Sequence, residues 1–338
     1  MPLKTEKTRR CGGCCATCRI FKACGGCHAG CGAACCVRDC SRCIYICCRR
    51  PGAESLLASL GGPELPALPK QPAAWPGDVP KILPAVAARF SVMPAPALLP
   101  WVGINAARMV ITRGYNSGGL RRKTGSVREF ARISPETRTL LHMYIPDEPL
   151  EAFWQARRGI YPALREFDLV IAPNFSVYED SPRMEHLINI KRSALVWVEM
   201  LQAGIRAAPD VSWAAFNDLE RWAAHINKHS IPVVSASIQT VGRNAGGYWR
   251  GYLEGLAHLA RKIPPDTIII MVGAGTPAKM RAIQAEIRQR VVFLTTQPFL
   301  LARKGRLLAA KGRRMAAEGG RDYDAMFLRN VQFLQKGV

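Results

Sequence analysis

Cysteine is concentrated at the start of this 338-residue chain, in a pattern that suits metal ions. All 13 cysteines lie between Cys11 and Cys48, and many are separated by two or three residues. Sulfur atoms spaced in this way reach one ion from a tight turn, which the nearby glycines permit. Twelve of the cysteines form the predicted ligand set: Cys11, Cys14, Cys15, Cys18, Cys24, Cys27, Cys31, Cys35, Cys36, Cys40, Cys43 and Cys47.

Two cofactors fit this set of thiolates. Four thiolates hold one zinc ion, and repeated cysteine pairs are typical of structural zinc sites, so we expect zinc. Spacings of two and three residues also occur around a 4Fe-4S cluster, which is the alternative. Disulfides or a disordered segment are a third interpretation, which the odd number of cysteines, 13, disfavours.

The ends of the chain suggest where the protein resides. No apolar run is long enough to cross a bilayer, and the basic start leads into cysteine and glycine rather than an apolar signal core. We therefore expect a cytoplasmic protein without a membrane partner. A cytoplasm keeps thiols reduced, which agrees with metal binding.

Positive charge is in excess and unevenly placed. The formal net charge is +22; residues 1–50 carry ten Lys and Arg against Glu6 and Asp39, and residues 299–317 carry six with no acid. Such an excess favours polyanions through counterion release, so nucleic acid is the expected partner. A generally basic protein without a nucleic-acid role is the alternative.

The basic residues predicted to contact phosphates fall in three places. A glycine-containing loop spans 113–123, a helix start follows residue 182, and a basic stretch begins near residue 303. Solvated side chains at each place are the alternative. The set comprises Arg113, Arg121, Arg122, Lys123, Arg183, Arg192, Arg303, Lys304, Arg306, Arg313 and Arg314.

Composition divides the chain into four parts. Residues 1–50 form the cysteine-rich metal-binding module, and residues 51–100 are rich in proline and alanine and predict an extended connector. A periodic pattern over 101–315 predicts an α/β domain, and 316–338 form a tail. Only residues 101–315 show a regular alternation of predicted strands and helices.

Within that part, β-branched or apolar runs alternate with amphipathic stretches. The predicted strands are Ala107–Thr112, Leu140–Ile145, Leu169–Pro173, Ala207–Val211, Val233–Ile238, Thr267–Val272 and Val291–Thr295. The predicted helices are Leu150–Arg158, Pro182–Ala203, Phe216–Lys228, Tyr248–Lys262, Pro277–Arg288 and Pro298 to about Met315.

This alternation predicts a parallel sheet, either closed or open. We favour a barrel-like (β/α) domain, an incomplete TIM barrel, because nearly eight units are present and no glycine-rich dinucleotide fingerprint follows a strand. Arg89–Met93 or the tail would supply the eighth strand. An open, doubly wound sheet is the alternative.

Polar residues at the ends of the strands are the candidates for catalysis, because strand ends share one mouth in such folds. Asp147, Asn174, Ser176 and Asp210 form this predicted catalytic set. The two carboxylates, Asp147 and Asp210, suit an acid and a base if they face each other. The alternative is that each of them caps the helix that follows, which would give the same sequence pattern. His142 falls inside a predicted strand, and no hydrolase triad is visible.

The stretch from Phe167 to Ser176, with Pro182-Arg183 and Asn189 to Arg192, resembles an uncharacterised bacterial and phage family, domain of unknown function 4417. The resemblance spans about residues 101–315 and implies a shared fold without an assigned activity. It marks Asn174, Ser176, Arg183, Asn189 and Arg192 as positions of the family motif. Occurrence in phages and mobile elements favours a nucleic-acid context.

These observations support three functional hypotheses. The first is a nucleic-acid-associated metalloprotein that binds or processes DNA or RNA, in which the barrel mouth handles a nucleotide. The second is an iron-sulfur enzyme that acts on a small molecule at the barrel mouth. The third is a zinc-containing adaptor that binds another protein without catalysis.

Overall fold

Eight parallel strands form the centre of the fold. The computed structural model describes residues 46, 52–69, 79–109, 111–113, 120–122, 126–178, 181–239, 246–309, 314–316 and 322–337. The central strands are β1 (Ile82–Val86), β2 (Trp101–Asn105), β3 (Arg138–His142), β4 (Leu169–Ile171), β5 (Ala207–Ala208), β6 (Val233–Ser237), β7 (Ile268–Val272) and β8 (Val291–Thr295).

Each strand pairs with its neighbours in chain order, and β1 pairs with both β2 and β8. The two edge strands of this sheet, β5 and β6, meet through a parallel bridge between Asp210 and Ser235. There Val211 N donates to Ser235 O at 2.7 Å, and Ser235 N donates to Pro209 O at 2.9 Å. The strands therefore form a nearly closed, TIM-like α/β barrel, which confirms the predicted fold class.

Helices surround the barrel, and most of them follow a strand. They are α1 (Ala53–Ser59), α2 (Ala106–Met109), α3 (Val127–Ala131), α4 (Asp147–Leu164), α5 (Arg183–Gln202), α6 (Phe216–His229), α7 (Gly246–Lys262), α8 (Pro277–Glu286), α9 (Gln297–Arg303) and α10 (Tyr323–Gly337). Two antiparallel hairpins pair 111–113 with 120–122 and 306–308 with 314–316. None of the described helices is both long and apolar enough to span a bilayer.

Alternation along the strands separates two apolar layers, because successive side chains point to opposite faces. One face fills the barrel interior with residues such as Leu83, Leu140, Ile270 and Leu294. The other face packs against the helices in a larger cluster. The interior is so tight at Gly103 that a Cβ there would lie 2.5 Å from Leu294 Cδ1.

The first two barrel strands differ from the prediction. The predicted strand Ala107–Thr112 is largely the short helix α2 and part of a hairpin, and β1 and β2 precede it; Arg89–Met93 is not a strand. The barrel thus begins at Ile82, within the proline-rich range 51–100. Proline patterns argue against central strands because proline cannot donate to a ladder, yet Pro84 lies inside β1 in register with Thr295.

The last predicted helix is also shorter than expected. Helix α9 ends at Arg303, and Gly305, with φ of +65°, turns the chain into the hairpin that begins at Arg306. The predicted tail contains α10, whose Phe327 is buried and packs against Phe90 with 5.5 Å between the centroids of the tilted rings. This helix therefore belongs to the barrel's outer layer.

Residues 52–69 lie against the barrel. Leu57 of α1 is buried in a small cluster with Leu187 of α5. Lys191 Nζ donates to Glu64 O at 2.6 Å, and Arg221 donates to Pro63 O. These contacts hold this part of the proline-rich range on helices α5 and α6.

Candidate active site

A buried carboxyl group lies where β5 and β6 meet, at the end of the barrel that carries the carboxyl termini of the strands. Asp210 is only 1% exposed. Its Oδ1 accepts a hydrogen bond from the Tyr144 hydroxyl at 2.5 Å, and its Oδ2 accepts one from Asn174 Nδ2 at 2.6 Å. Tyr144 Oη also lies 3.0 Å from Ser235 Oγ, which donates to Pro209 O at 3.0 Å.

Burial dominates the protonation of this group. Loss of water raises the pKa of Asp210 from 3.8 to about 6, although hydrogen bonds from Tyr144 and Asn174 act to lower it. Burial and the Asp210 charge raise the pKa of Tyr144 well above its ordinary value. Asp210 is therefore able to exchange a proton near neutral pH, whereas Tyr144 remains a neutral donor.

Among the polar groups near this carboxyl that have no hydrogen-bond partner within the described part of the chain, two belong to large side chains. One is the Tyr252 hydroxyl on α7, which is buried and whose pKa is raised by burial and by the Asp210 charge. The other is His142 on β3, where both ring nitrogens are unpartnered. Burial lowers the pKa of His142 to about 4, so its ring is neutral at pH 7. Unpaired buried polar atoms are unfavourable, and a bound ligand would satisfy them.

A cavity of about 50 Å³ opens beside His142. The imidazole ring lies 6.2 Å from the Tyr144 ring between centroids, so the cavity and the carboxyl site are neighbours. Polar groups of the loops after β6, β7 and β8, among them Gln239, Gly273 and Gln297, complete its wall. The arrangement therefore combines a proton-exchanging acid with a small polar recess.

A second carboxylate lies at the rim of the mouth. Asp147, at the start of α4, is exposed; its Oδ1 accepts from Ser176 Oγ at 2.6 Å and its Oδ2 from the Tyr178 hydroxyl at 3.2 Å. Asn189 of α5 donates to Ser176 O at 2.8 Å and holds this loop in place. The structure thus brings Asp147 to Ser176.

The four predicted catalytic residues therefore form two pairs with different surroundings: Asn174 with the buried Asp210, and Ser176 with the exposed Asp147. Sequence reasoning missed Tyr144 and Tyr252 as site residues and set His142 aside because it falls inside a strand. Strand alternation was the available signal, since His142 and Tyr144 are two residues apart and so share a face.

Arg183, one of the predicted phosphate contacts, is instead used inside the fold. It is 4% exposed and donates to both oxygens of Asp218 at 2.7 and 2.5 Å. Asp218 also accepts from Arg221 at 3.3 Å and from the backbone N–H groups of residues 214 and 215. This pairing ties the start of α5 to the start of α6.

The remaining predicted phosphate contacts have varied surroundings. Arg192 makes two hydrogen bonds to Glu151 and lies over the Trp154 and Phe175 rings. Arg303, Lys304 and Arg306 are exposed, and Arg303 lies over the Tyr323 ring. The side chains of Arg113, Arg121, Arg122, Lys123, Arg313 and Arg314 lie outside the described part of the structure.

All twelve predicted metal ligands, Cys11 to Cys47, also lie outside the described residues. Within the described ranges, no group of three or more His, Cys, Asp or Glu side chains is placed to hold a metal ion. The metal prediction therefore concerns the cysteine-rich module alone.

Fold and site together define a TIM-like α/β barrel protein with a buried polar network at its mouth. Residues 125–289 match the family model described as Domain of unknown function (DUF4417). This confirms the resemblance over a narrower range than 101–315. The matched segment contains β3 to β7, and with them Tyr144, Asn174, Asp210 and Ser235.

A phage protein shares a shorter similarity with the chain. Over 87 residues the chain is 28% identical to the "Gene 1 protein" of Mycobacterium phage D29. This similarity covers 26% of the chain and 31% of the phage protein, so the chain spans about a third of that relative's length.

Proposed function

We propose that this protein is a nucleic-acid-associated protein, of a phage or mobile element, that processes a nucleotide unit of DNA or RNA at its barrel mouth. Asp210 is the proton acceptor and donor of the reaction. The observation that carries the proposal is the buried carboxyl of Asp210, held on both oxygens by Tyr144 and Asn174. A pKa of about 6 suits proton exchange at physiological pH.

Each neighbour of Asp210 has a part in this chemistry. Tyr144 and Asn174 donate to the carboxylate and fix its orientation, which leaves its remaining lone pairs for a substrate proton. Tyr252 supplies a neutral hydroxyl that a substrate oxygen or nitrogen would pair with. Low exposure of Asp210 keeps water from competing for these bonds.

The nucleic-acid part of the proposal rests on charge, and its phage part rests on similarity. A net charge of +22 attracts polyanions, and the exposed Lys304 and Arg306 belong to the basic stretch 299–317. The similar segment of a phage protein supports the phage part of the proposal.

Binding is tested with the full chain and labelled single- and double-stranded DNA and RNA, by fluorescence anisotropy at salt concentrations from about 50 to 200 mM. We expect affinity to fall steeply with salt because phosphate contacts release counterions. Affinity that stays constant over this range would refute the nucleic-acid assignment.

Processing is tested by incubating the same oligonucleotides with the wild type and with Asp210→Asn, followed by mass spectrometry. Asp168→Asn is the matched control, because Asp168 immediately precedes β4 and so lies at the opposite end of the barrel. We expect the rate of Asp210→Asn to be at least a hundredfold lower than that of the wild type, because a general acid or base usually contributes that much. The control should retain the wild-type rate. Equal rates in all three proteins would exclude Asp210 as the acid or base.

We propose further that the twelve cysteines of the metal-binding module hold zinc. Their repeated spacings and the basic residues around them support a zinc-stabilised module that adds phosphate contacts. Elemental analysis of protein prepared without oxygen should give stoichiometric zinc. Iron with sulfide and visible charge-transfer absorption would favour the 4Fe-4S alternative, and the absence of both metals would refute the module.

A second candidate is an enzyme that acts on a free small molecule, with electron transfer from an iron-sulfur module. The observation that favours it is the size of the recess beside His142, about 50 Å³, which suits a small group rather than a polymer. Turnover of small molecules without salt-sensitive binding of oligonucleotides would support this candidate over the first.

A further inference from the structure

The cavity beside His142 occupies a particular place in the barrel. Its wall comes mainly from the loops after β7 and β8, including Gly273, Gly275, Thr296 and Gln297. In TIM-type barrels these two loops frequently form a phosphate-binding site. Its volume of about 50 Å³ is several times the roughly 10–15 Å³ that one buried water requires.

The cavity wall is polar without being acidic. His142, Gln239, Thr296 and Gln297 contribute hydrogen-bonding groups, and no carboxylate is present among the described residues that line it. His142 is 1% exposed, lines the cavity and has no partner for either nitrogen among the described residues. A buried, unpartnered imidazole that faces a recess is satisfied when a species with hydrogen-bonding atoms occupies that recess.

Glycine keeps this recess open. Gly273 has φ of +93°, and a Cβ there would lie 2.7 Å from Gln239 Cγ and 3.0 Å from the backbone nitrogen of the same residue. A Cβ on Gly275 would lie 3.3 Å from Gln297 Oε1. Helix α8, ten residues long, begins directly after this loop at Pro277, with Thr276 as its cap. Its N-terminal dipole therefore lies near the loop and favours an anion.

We propose that this cavity binds a phosphate group, that of the nucleotide processed at Asp210. The proposal rests on the proposed function for the identity of the nucleotide, whereas the phosphate subsite itself stands on the cavity. The ligand is held by neutral donors: the His142 ring, the amides of Gln239 and Gln297, and the Thr296 hydroxyl. Because the His142 and Tyr144 rings are 6.2 Å apart, a phosphate there places the rest of the nucleotide against the Asp210 network.

Isothermal titration calorimetry with inorganic phosphate tests the subsite in the full chain. We expect binding at millimolar concentration or below by the wild type, and at least tenfold weaker binding by His142→Phe, which keeps a ring but removes both nitrogens. The matched control is His225→Phe: His225 on α6 is also buried, lies near the Trp197 and Trp222 rings, and does not line the cavity. We expect this control to stay within twofold of the wild type.

Gln297→Leu is the second variant, and it carries the test if His142→Phe fails to fold. It removes the amide while its backbone N–H keeps the bond to Thr295 Oγ1, so we expect at least fivefold weaker phosphate binding. Absence of phosphate binding by the wild type up to about 10 mM would overturn the subsite. Unchanged affinity in a folded His142→Phe or Gln297→Leu variant would overturn it as well.

Nucleoside monophosphates separate the two levels of the proposal. A nucleoside 5′-monophosphate that binds more tightly than both inorganic phosphate and the nucleoside supports a nucleotide ligand. Equal binding of monophosphate and inorganic phosphate would overturn the nucleotide assignment and identify free phosphate as the ligand. If oligonucleotides are neither bound nor processed while phosphate still binds, the proposed function fails and the subsite remains.

Discussion

Replacing Asp210 with asparagine should stabilise the protein while removing its proposed reactivity. The carboxyl is 1% exposed, and burial holds its pKa at about 6 against an ordinary value of 3.8. The folded state therefore binds this proton more tightly than the unfolded state. Stability from this group is complete below pH 3.8 and is lost as pH rises through about 6.

The size of this loss follows from the difference between the two pKa values. The pKa differs by about 2 between the folded and unfolded states, and a pKa difference of 1 corresponds to roughly 1.4 kcal/mol. Ionisation of Asp210 therefore lowers the free energy of unfolding by about 3 kcal/mol at pH 7 or above, compared with the neutral group. Asparagine stays neutral at every pH. In Asp210→Asn the side-chain NH2 group must face either Tyr144 or Asn174, and both of these donate a hydrogen bond to the carboxylate in the wild type. Because one of these bonds is lost, we expect the free energy of unfolding to rise by only about 1–3 kcal/mol at pH 7.

Urea unfolding followed by circular dichroism, at intervals from pH 4 to pH 8, measures this difference. We expect Asp210→Asn to be more stable than the wild type above pH 6, and the advantage to shrink as pH falls toward 4. If Asp210→Asn is less stable at every pH, with a constant difference from the wild type, then ionisation of Asp210 is not opposed by burial.

Three substitutions test the packing of the fold by urea or thermal unfolding. Arg183→Met should cost about 3–5 kcal/mol because it leaves the 0% exposed Asp218 carboxylate without its bidentate partner, and a cost below about 1 kcal/mol would contradict that assignment. Gly103→Ala should cost about 1–3 kcal/mol because the added Cβ would lie too close to Leu294; an unchanged unfolding midpoint would show that the barrel interior rearranges to accommodate a methyl group without cost. Ser230→Gly should add about 1 kcal/mol, since residue 230 ends α6 with φ of +48°; a loss of stability would show that the serine side chain matters there.

Periodic patterns predict the second half of the barrel well. The predicted Val291–Thr295 agrees with β8 at both ends, and Pro182–Ala203 differs from α5 by one residue at each end. These segments carry buried apolar runs and clear helix ends, which are local signals. The first two strands were missed because Pro84 and the surrounding proline-rich composition hide β1, whose pairing with β8 connects residues far apart in the chain.

The candidate site was predictable only in part. Asn174 stood out because it follows a predicted strand, and Asp210 because it lies near the end of another, yet their 2.6 Å contact depends on how the barrel closes. Arg183 looked like a phosphate contact because a cation at a helix start opposes the dipole; its partner Asp218 lies 35 residues later. Tyr252 reaches the site from a helix, so strand-end reasoning does not find it.

The joint between β5 and β6 gives the Asp210 site a mechanical property. Strand β5 has only two residues, and Asp210 itself forms the bridge to Ser235 that completes the ring of strands. A ligand that hydrogen-bonds to the Asp210 side chain therefore also stabilises the single bridge by which β5 and β6 close the barrel. Amide hydrogens of Val211 and Ser235, which form this joint, should exchange more slowly when the mouth is occupied.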